Sequence, residues 1–135
     1  MEGFTARFRA LREQRQTLLC VGIDPEASRL PQRYQGDVFA FVSDIIRITR
    51  DSTLAYKLNL AFFELLDLQL AADIVHLIRC ESPALIIADA KRGDIGNSAA
   101  AYARAIFEKM NCDAITVSPY MGFESLEPFL AYGDR

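Results

Sequence analysis

Two carboxylates and a lysine follow one short apolar run in the middle of the sequence. Asp89, Lys91 and Asp94 come directly after the uncharged segment 84–88, with Gly93 between the last two. An uncharged run of this kind is typical of a buried parallel strand, and α/β folds build their sites at the carboxyl ends of such strands. Because strand side chains alternate, Asp89 and Lys91 are expected to point to the same side. The pattern therefore predicts an acid and an amine side by side at one strand end.

The residue types around this D-x-K-x-x-D pattern argue against a phosphate loop and against a calcium loop. A salt-bridged strand end is the more general explanation of the pattern. The sequence has no G-x-x-x-x-G-K-[ST] phosphate loop, and Lys91 occupies a place where a calcium loop needs an oxygen ligand. A cation between two carboxylates suits a reaction that handles negative charge. Gly93 and Gly96 allow a tight turn, after which Asn97 or Ser98 is expected to cap a helix.

The composition favours a globular chain with a hydrophobic core. The 135 residues are 51% hydrophobic and carry a net charge of −3, which argues against general nucleic-acid binding. No apolar run approaches the roughly 20 residues that span a bilayer, and no secretory signal pattern opens the chain. The arginine-rich start is expected to be a solvated helix face, because Phe4, Phe8 and Leu11 recur at helical spacing. We therefore expect a cytoplasmic protein with neither a nucleic-acid partner nor a membrane partner.

The cysteines and the single histidine predict no metal site. Cys20, Cys80 and Cys112 are odd in number and lack C-x-x-C pairing, which is typical of reduced thiols, mostly buried, in a cytosolic protein. His76 lies in a long apolar helical segment with no second ligand near it in sequence. A packed helix histidine is the expected outcome.

Strand and helix patterns alternate four times along the chain. After a first helix, strands are predicted at 17–23, 54–60, 84–88 and 114–118, and helices at about 37–50, 64–79, 98–111 and from 125. Such alternation specifies a parallel sheet with right-handed crossovers. Four units form either a small open sheet or about half of a (β/α)8 barrel, which typically needs about 250 residues. In the barrel case, the first and fourth strands have open edges that another segment must cover.

Polar side chains also end the first two strands. Asp24 follows the first strand, where Pro25 stops the ladder, and Lys57 shares one face of the second strand with Asn59. Since the carboxyl ends of parallel strands meet at one rim, these groups are expected to lie near Asp89.

This arrangement resembles the orotidine 5′-monophosphate decarboxylase family. The matching segments, in chain order, are V-G-I-D-P at 21–25, Y-K-L-N at 56–59, D-A-K-R-G-D-I-G-N-S at 89–98 and S-P-Y-M-G at 118–122. The K-R-G-D-I-G and P-Y-M-G forms resemble the longer bacterial, mycobacterial-type subgroup. Together the segments extend along the chain in the right order. The resemblance implies that residues 1–135 are the amino-terminal half of a single (β/α)8 TIM-barrel domain, comprising its first four units.

The resemblance also implies a catalytic role for four residues. Lys57, Asp89, Lys91 and Asp94 match a charged tetrad that converts orotidine 5′-monophosphate to UMP and CO2 without a cofactor, with Lys91 as the proton donor. Loss of CO2 leaves a carbanion in the plane of the pyrimidine ring, so the catalyst must supply electrostatic stabilisation. Asp89 either repels the departing carboxylate or positions Lys91, and both roles stay open.

Substrate binding and assembly follow from the same resemblance. Asp24 and Lys57 match contacts to the ribose hydroxyls, and Asn59 lies beside them as a further substrate-binding residue. Ile95 and Ser98 match positions that approach the substrate from a neighbouring subunit, with Ser98 replacing a commoner threonine. The implied assembly is a homodimer in which Asp94 reaches into the partner's site.

Alternatives of other classes stay open for the chain. In this family the phosphate clamp and the closing lid come from the second half of the barrel, beyond residue 135, so turnover by the chain alone is an open question. A related phosphosugar lyase would use magnesium, but Lys57 stands where such relatives carry an acidic metal ligand. A half barrel without catalysis, serving folding or assembly, is the third alternative.

Overall fold

A parallel sheet carries the polar strand ends to one rim. The computed structural model describes residues 3–135, and in that range the sheet has the strand order β1 (Cys20–Ile23), β2 (Ala55–Asn59), β3 (Leu85–Arg92) and β4 (Ala114–Val117). The predicted parallel order is confirmed, with β1 and β4 at the edges.

Helices follow each strand, and one precedes the sheet. Their bounds are α1 Phe4–Arg15, α2 Val38–Thr49, α3 Leu60–Leu66, α4 Leu68–Glu81, α5 Gly96–Arg104 and α6 Glu127–Leu130. Short 3₁₀ turns connect β1 to α2 and β4 to α6, and a π-helical turn continues α5. The Asp37 carboxylate accepts the Ala40 N–H at 2.9 Å and caps α2, which explains where that helix begins. Within residues 3–135, no helix combines the length and apolar character needed to cross a membrane.

Two predictions about helices were wrong. The single helix expected at 64–79 is two helices, because Asp67 adopts an extended conformation and its carboxylate accepts the Gln69 N–H at 2.8 Å. A side-chain cap stops one helix and starts the next, and the continuous apolar pattern conceals it. Neither Asn97 nor Ser98 caps α5, which begins at Gly96 without a side-chain cap.

Apolar side chains fill both the flank and the amino-terminal end of the sheet. The main core consists of buried residues from the strands and from the surrounding helices, among them Val42, Ile46, Tyr56, Phe63, Ile74, Ile78 and Ile86. A second cluster joins Leu11, Leu54, Ala55 and Leu85, with Phe4 and Phe8 packed against it. Helix α1 therefore covers the end of the sheet opposite the polar rim.

The cysteine and histidine predictions were wrong for three residues. Cys20 lies on the edge strand β1 and is exposed, as is Cys80 on α4. His76 is also exposed, with its Nε2 atom 3.7 Å from Cys80 Sγ, because it follows the inward-facing Val75 on α4. Cys112 is buried as predicted, and that burial raises the pKa of its thiol to about 12.

A buried carboxylate ties the outer elements to the amino-terminal end of the sheet. Asp113 accepts the Ile86 N–H at 2.7 Å and pairs with Arg7 of α1. Arg79 of α4 lies 2.8 Å from the same carboxylate and Arg135 lies 3.9 Å from it.

The arginine-rich start is thus only partly solvated. Arg7 pairs with Asp113, and Arg15 donates to the carbonyls of Arg50 and Thr53, whereas Arg9 and Arg12 are exposed. Helix α1 is therefore anchored by charge as well as by its apolar face.

Asp113→Ala is expected to lower the free energy of unfolding by about 3 kcal/mol, because it removes the shared partner of three arginines from a buried site. Urea denaturation followed by circular dichroism measures the change. The exposed turn residue Asp51 provides the control, and Asp51→Ala is expected to change stability by less than about 0.5 kcal/mol. Equal stability losses in the two variants would contradict the structural role of Asp113.

Candidate active site

One carboxylate on β3 accepts hydrogen bonds from two ammonium groups and a hydroxyl. Asp89 Oδ2 accepts from Lys57 Nζ of β2 at 2.8 Å, and Asp89 Oδ1 accepts from Lys91 Nζ of β3 at 2.6 Å. Thr116 Oγ1 of β4 donates to Asp89 Oδ1 at 2.8 Å. Asp89 is 8% exposed, so its charge is met by protein groups more than by water. Three neighbouring strands thus build a single charged cluster.

Strand register explains how Lys57 meets Asp89. In the β2–β3 ladder, Asn59 is paired with Asp89, and Lys57 lies two residues earlier on the same face of β2. The long Lys57 side chain therefore runs along the sheet to the carboxylate.

Lys91 reaches the same carboxylate by a different route. Its φ is +48°, in the left-handed region, which costs a non-glycine residue about 1 kcal/mol. The sequence correctly predicted the contact between Lys91 and Asp89, but regular strand alternation does not produce it. The backbone turn at Lys91 does.

Arg92 holds the chain just after that turn. Its guanidinium pairs with Glu64 of α3 and lies 4.8 Å from the ring centroid of Tyr102 on α5. The end of β3 is thereby fixed to the helices on either side.

Asp24 and Asn59 form a second polar pair on the rim. Asn59 Nδ2 donates to Asp24 Oδ2 at 3.3 Å, which joins the ends of β1 and β2. Asp24 is exposed and Asn59 is partly buried. A carboxylate and an amide in this position can bind neutral hydroxyl groups.

The segment after β3 lies outside the cluster. Asp94 accepts the Ile95 N–H at 2.8 Å, and within residues 3–135 no ion pair shorter than 4 Å joins it to Lys57 or Lys91. Ile95 is 54% exposed and Ser98 is also exposed. The structure therefore brings together three of the four predicted catalytic residues.

The cluster is ionised and carries net positive charge. Hydrogen bonds from Lys57 and then from Lys91 hold the pKa of Asp89 far below its usual range, and the bond to Asp89 raises the pKa of Lys57. Two ammonium groups against one carboxylate leave one positive charge on the cluster of Lys57, Asp89 and Lys91. The Lys91 side chain is 67% exposed and that of Lys57 34%, so both have surface available to an anion.

Thr116 is the one member of the cluster that the sequence analysis did not identify. Its signal was a single hydroxyl in the otherwise apolar strand Ala114–Val117, next to the strand that carries Asp89. A lone threonine in a strand is too common to be informative without knowledge of strand order.

Comparison with known proteins identifies the family of the chain. A sequence model of the orotidine 5′-phosphate decarboxylase / HUMPS family matches residues 17–135. The chain belongs to that family. It is 42% identical over 134 residues to an orotidine 5′-phosphate decarboxylase of Albidiferax ferrireducens, with 96% of this chain and 47% of that protein covered. The chain spans about half the length of the curated relatives that it matches.

Solved structures of the orotidine 5′-phosphate decarboxylase family share the fold. The structure of Leishmania donovani OMP decarboxylase matches at 39% identity with a TM-score of 0.77, and the match covers 95% of this chain and 50% of that chain. The structure of Leishmania donovani UMP synthase matches at 33% identity with a TM-score of 0.86, covering 100% of this chain and 29% of that chain. The four-stranded sheet is therefore half of a TIM barrel of this family, as predicted.

Asp89→Asn is expected to lower the free energy of unfolding at neutral pH, because two ammonium groups lose their shared counter-charge. The depressed pKa of Asp89 means that its stabilisation is full above the unfolded value of about 3.9 and is lost as pH falls below it. The raised pKa of Lys57 means that the stabilisation contributed by Lys57 is full below about pH 10.4 and is lost as the pH rises further. The stability gap between wild type and Asp89→Asn should therefore be widest between these limits.

Urea denaturation from about pH 2.5 to pH 7 measures that gap on the acid side. Asp51→Asn is the control, because Asp51 is an exposed turn residue. A gap for Asp89→Asn that stays constant down to the lowest pH would show that the ion pairs do not stabilise the folded state.

Proposed function

We propose that this chain supplies the catalytic ions for decarboxylation of orotidine 5′-monophosphate to UMP and CO2, a step of pyrimidine biosynthesis. The observation that supports the proposal best is the buried carboxylate of Asp89 with one lysine ammonium on each oxygen. Its occurrence in a member of the orotidine 5′-phosphate decarboxylase / HUMPS family makes a salt bridge of purely structural purpose the weaker explanation.

The exposed ammonium of Lys91 suits the proton donor. In the reaction, the bond between C6 of the pyrimidine and its carboxylate carbon breaks, and the electron pair stays on C6 while neutral CO2 leaves. A fixed ammonium beside C6 stabilises this developing charge without having to reorient. Lys91 then transfers one proton to C6 and recovers it from solvent.

Asp89 and Lys57 hold that ammonium in place. The Asp89 carboxylate holds Lys91 at 2.6 Å, and Lys57 keeps Asp89 ionised from the other side. Two roles for Asp89 are compatible with this geometry: positioning of Lys91, and repulsion of the substrate carboxylate that ends when CO2 departs. The proposed chemistry needs no metal, flavin or pyridoxal cofactor.

The polar pair beside the cluster is proposed to bind the ribose. Asp24 can accept hydrogen bonds from ribose hydroxyls, and Asn59 and Lys57 can donate to them. These three side chains lie at adjoining strand ends, next to the proposed proton donor. They would set the distance between the sugar and the charged cluster.

The remaining predicted residues are proposed to act across a homodimer interface. Asp94 has no ion pair with Lys57 or Lys91 of its own chain within residues 3–135, and Ile95 and Ser98 are exposed after the same strand. In the proposed dimer, Asp94 completes the charged cluster of the partner, and Ile95 and Ser98 approach the partner's substrate. We propose that this enzyme works in the cytoplasm.

Residues 1–135 are proposed to be the amino-terminal half of a single barrel domain. The open edges of β1 and β4, together with relatives of about twice the length, support this assignment. The other half is proposed to supply the phosphate clamp. Since binding energy from a remote phosphate is used in reaching the transition state, the chain alone should turn over far more slowly than a complete barrel.

Lys57 also separates this function from that of a magnesium-dependent phosphosugar lyase. Its ammonium lies 2.8 Å from Asp89 Oδ2 and occupies the position beside that carboxylate where a divalent ion would have to bind. A cation in that place repels a metal, so the decarboxylase is the favoured function.

Lys91→Ala is expected to lower turnover of orotidine 5′-monophosphate by at least about a thousandfold, because the proton donor and its charge are both removed. The chain is assayed with the carboxyl-terminal half of the Albidiferax ferrireducens relative, supplied in trans or as a fusion, by the change in ultraviolet absorbance. Lys109→Ala removes an exposed lysine away from the strand ends and is expected to keep wild-type turnover.

Normal turnover by Lys91→Ala would refute its role as the proton donor. Urea denaturation of both lysine variants separates loss of chemistry from loss of the fold. If the wild-type chain is folded and assembled with the added half but remains inactive, the proposed function is wrong.

Mixing Asp94→Ala with Lys91→Ala subunits is expected to restore activity that neither variant has alone. A mixed dimer holds one complete site, made from an intact Lys91 in one subunit and an intact Asp94 from the other. Random mixing should then recover about a quarter of wild-type turnover, because half of the dimers are mixed and each has one good site of two. Native mass spectrometry verifies the mixing, and mixed dimers without activity would contradict sharing of Asp94.

A further inference from the structure

An irregularity in the sheet lies directly at the charged cluster. Ala88 is paired with Ile115 and Arg92 with Val117, so three residues of β3, from Asp89 to Lys91, lie opposite one residue of β4. That residue is Thr116. Bulges of this kind re-aim side chains near active sites, and here the bulge contains both the acid and the proposed proton donor.

Thr116 replaces the regular ladder with side-chain bonds inside this bulge. Its Oγ1 accepts the backbone N–H of Lys91 at 3.0 Å and donates to Asp89 Oδ1 at 2.8 Å. The directions are fixed, because a backbone N–H can only donate and an ionised carboxylate can only accept. The hydroxyl therefore uses its single proton on Asp89 while it holds the Lys91 backbone.

Two features of the cluster depend on these bonds. The bond from the Lys91 N–H lies at the residue with φ of +48°, so it supports the left-handed turn that directs the Lys91 ammonium back to Asp89. The bond to Asp89 Oδ1 fixes the rotation of the carboxylate, which leaves Oδ2 for Lys57. One side chain thus sets both the backbone that carries one lysine and the carboxylate that both lysines share.

We propose that Thr116 is a positioning residue for the decarboxylation, holding Lys91 and Asp89 in the relative orientation in which the Lys91 ammonium meets C6 of the substrate. This inference rests on the proposed function. Thr116 acts through Lys91 and Asp89, so its removal should affect the chemical step more than substrate binding.

Three variants separate this role from simple packing. Thr116→Val keeps the shape of the side chain but removes the donor and the acceptor, whereas Thr116→Ser keeps the hydroxyl. Thr53→Val is the matched control, because Thr53 is fully buried and its hydroxyl has no hydrogen-bond partner within residues 3–135.

Two measurements test the variants. In the 135-residue chain, amide hydrogen exchange by NMR reports the Lys91 N–H, which should exchange at least about tenfold faster in Thr116→Val. In the chain combined with the carboxyl-terminal half of the relative, kcat should fall by about tenfold to a hundredfold while KM changes by less than about threefold. Thr116→Ser and Thr53→Val should match wild type in both measurements.

Several outcomes of these measurements would refute the positioning role of Thr116. Thr116→Val with wild-type Lys91 exchange and wild-type kcat refutes it, and so does a Thr116→Ser variant that is as impaired as Thr116→Val. If the combined wild-type protein has no turnover, the proposed function fails. The amide exchange then decides the positioning role by itself, and equal Lys91 exchange rates in Thr116→Val and Thr116→Ser overturn it.

Discussion

The ion pairs of Asp89 are the interaction on which the geometry of the rim depends. Two ammonium groups repel each other. Lys57 and Lys91 can both lie beside Asp89 because its buried carboxylate presents one oxygen to each. The β2–β3 register brings Lys57 to that carboxylate, and the bulge opposite Thr116 brings Lys91. Strand order, strand register and the left-handed turn at Lys91 together place the two ammonium groups against the Asp89 carboxylate.

Two separate groups of ion pairs lie at opposite ends of the sheet. At the amino-terminal end, Asp113 and its arginines connect α1, α4 and Arg135, and the apolar face of α1 covers the strands. At the carboxyl end, the cluster is open and positively charged. The strained and partly exposed groups of the proposed active site are thus kept apart from the ion pairs that hold the elements together.

The sequence predicted the parts of this structure that depend on local periodicity. Strand positions, their parallel order and the placement of Lys57, Asp89 and Lys91 at one rim follow from apolar runs that end in polar residues. The contacts themselves depend on strand register and on the turn at Lys91. It did not predict the break at Asp67, because a capping carboxylate inside an apolar pattern has the same appearance as an exposed helical residue. Thr116 was missed for another reason: its role exists only once β4 lies beside β3, which is a tertiary property. The proposed contribution of Asp94 would come from a second chain, and it stays a prediction.

The open edges of β1 and β4 have a consequence for how such a barrel is made. Apolar side chains flank both edges, among them Leu18 and Leu19 before β1 and Tyr120, which is 94% exposed, after β4. During translation, these four units leave the ribosome before any later strands of a barrel can pair with them. For that interval, their unpaired backbone and apolar flanks are available to neighbouring nascent chains. If a complete barrel is made as one chain, slow translation of its later strands should therefore increase aggregation, and chaperone binding at these two edges should reduce it.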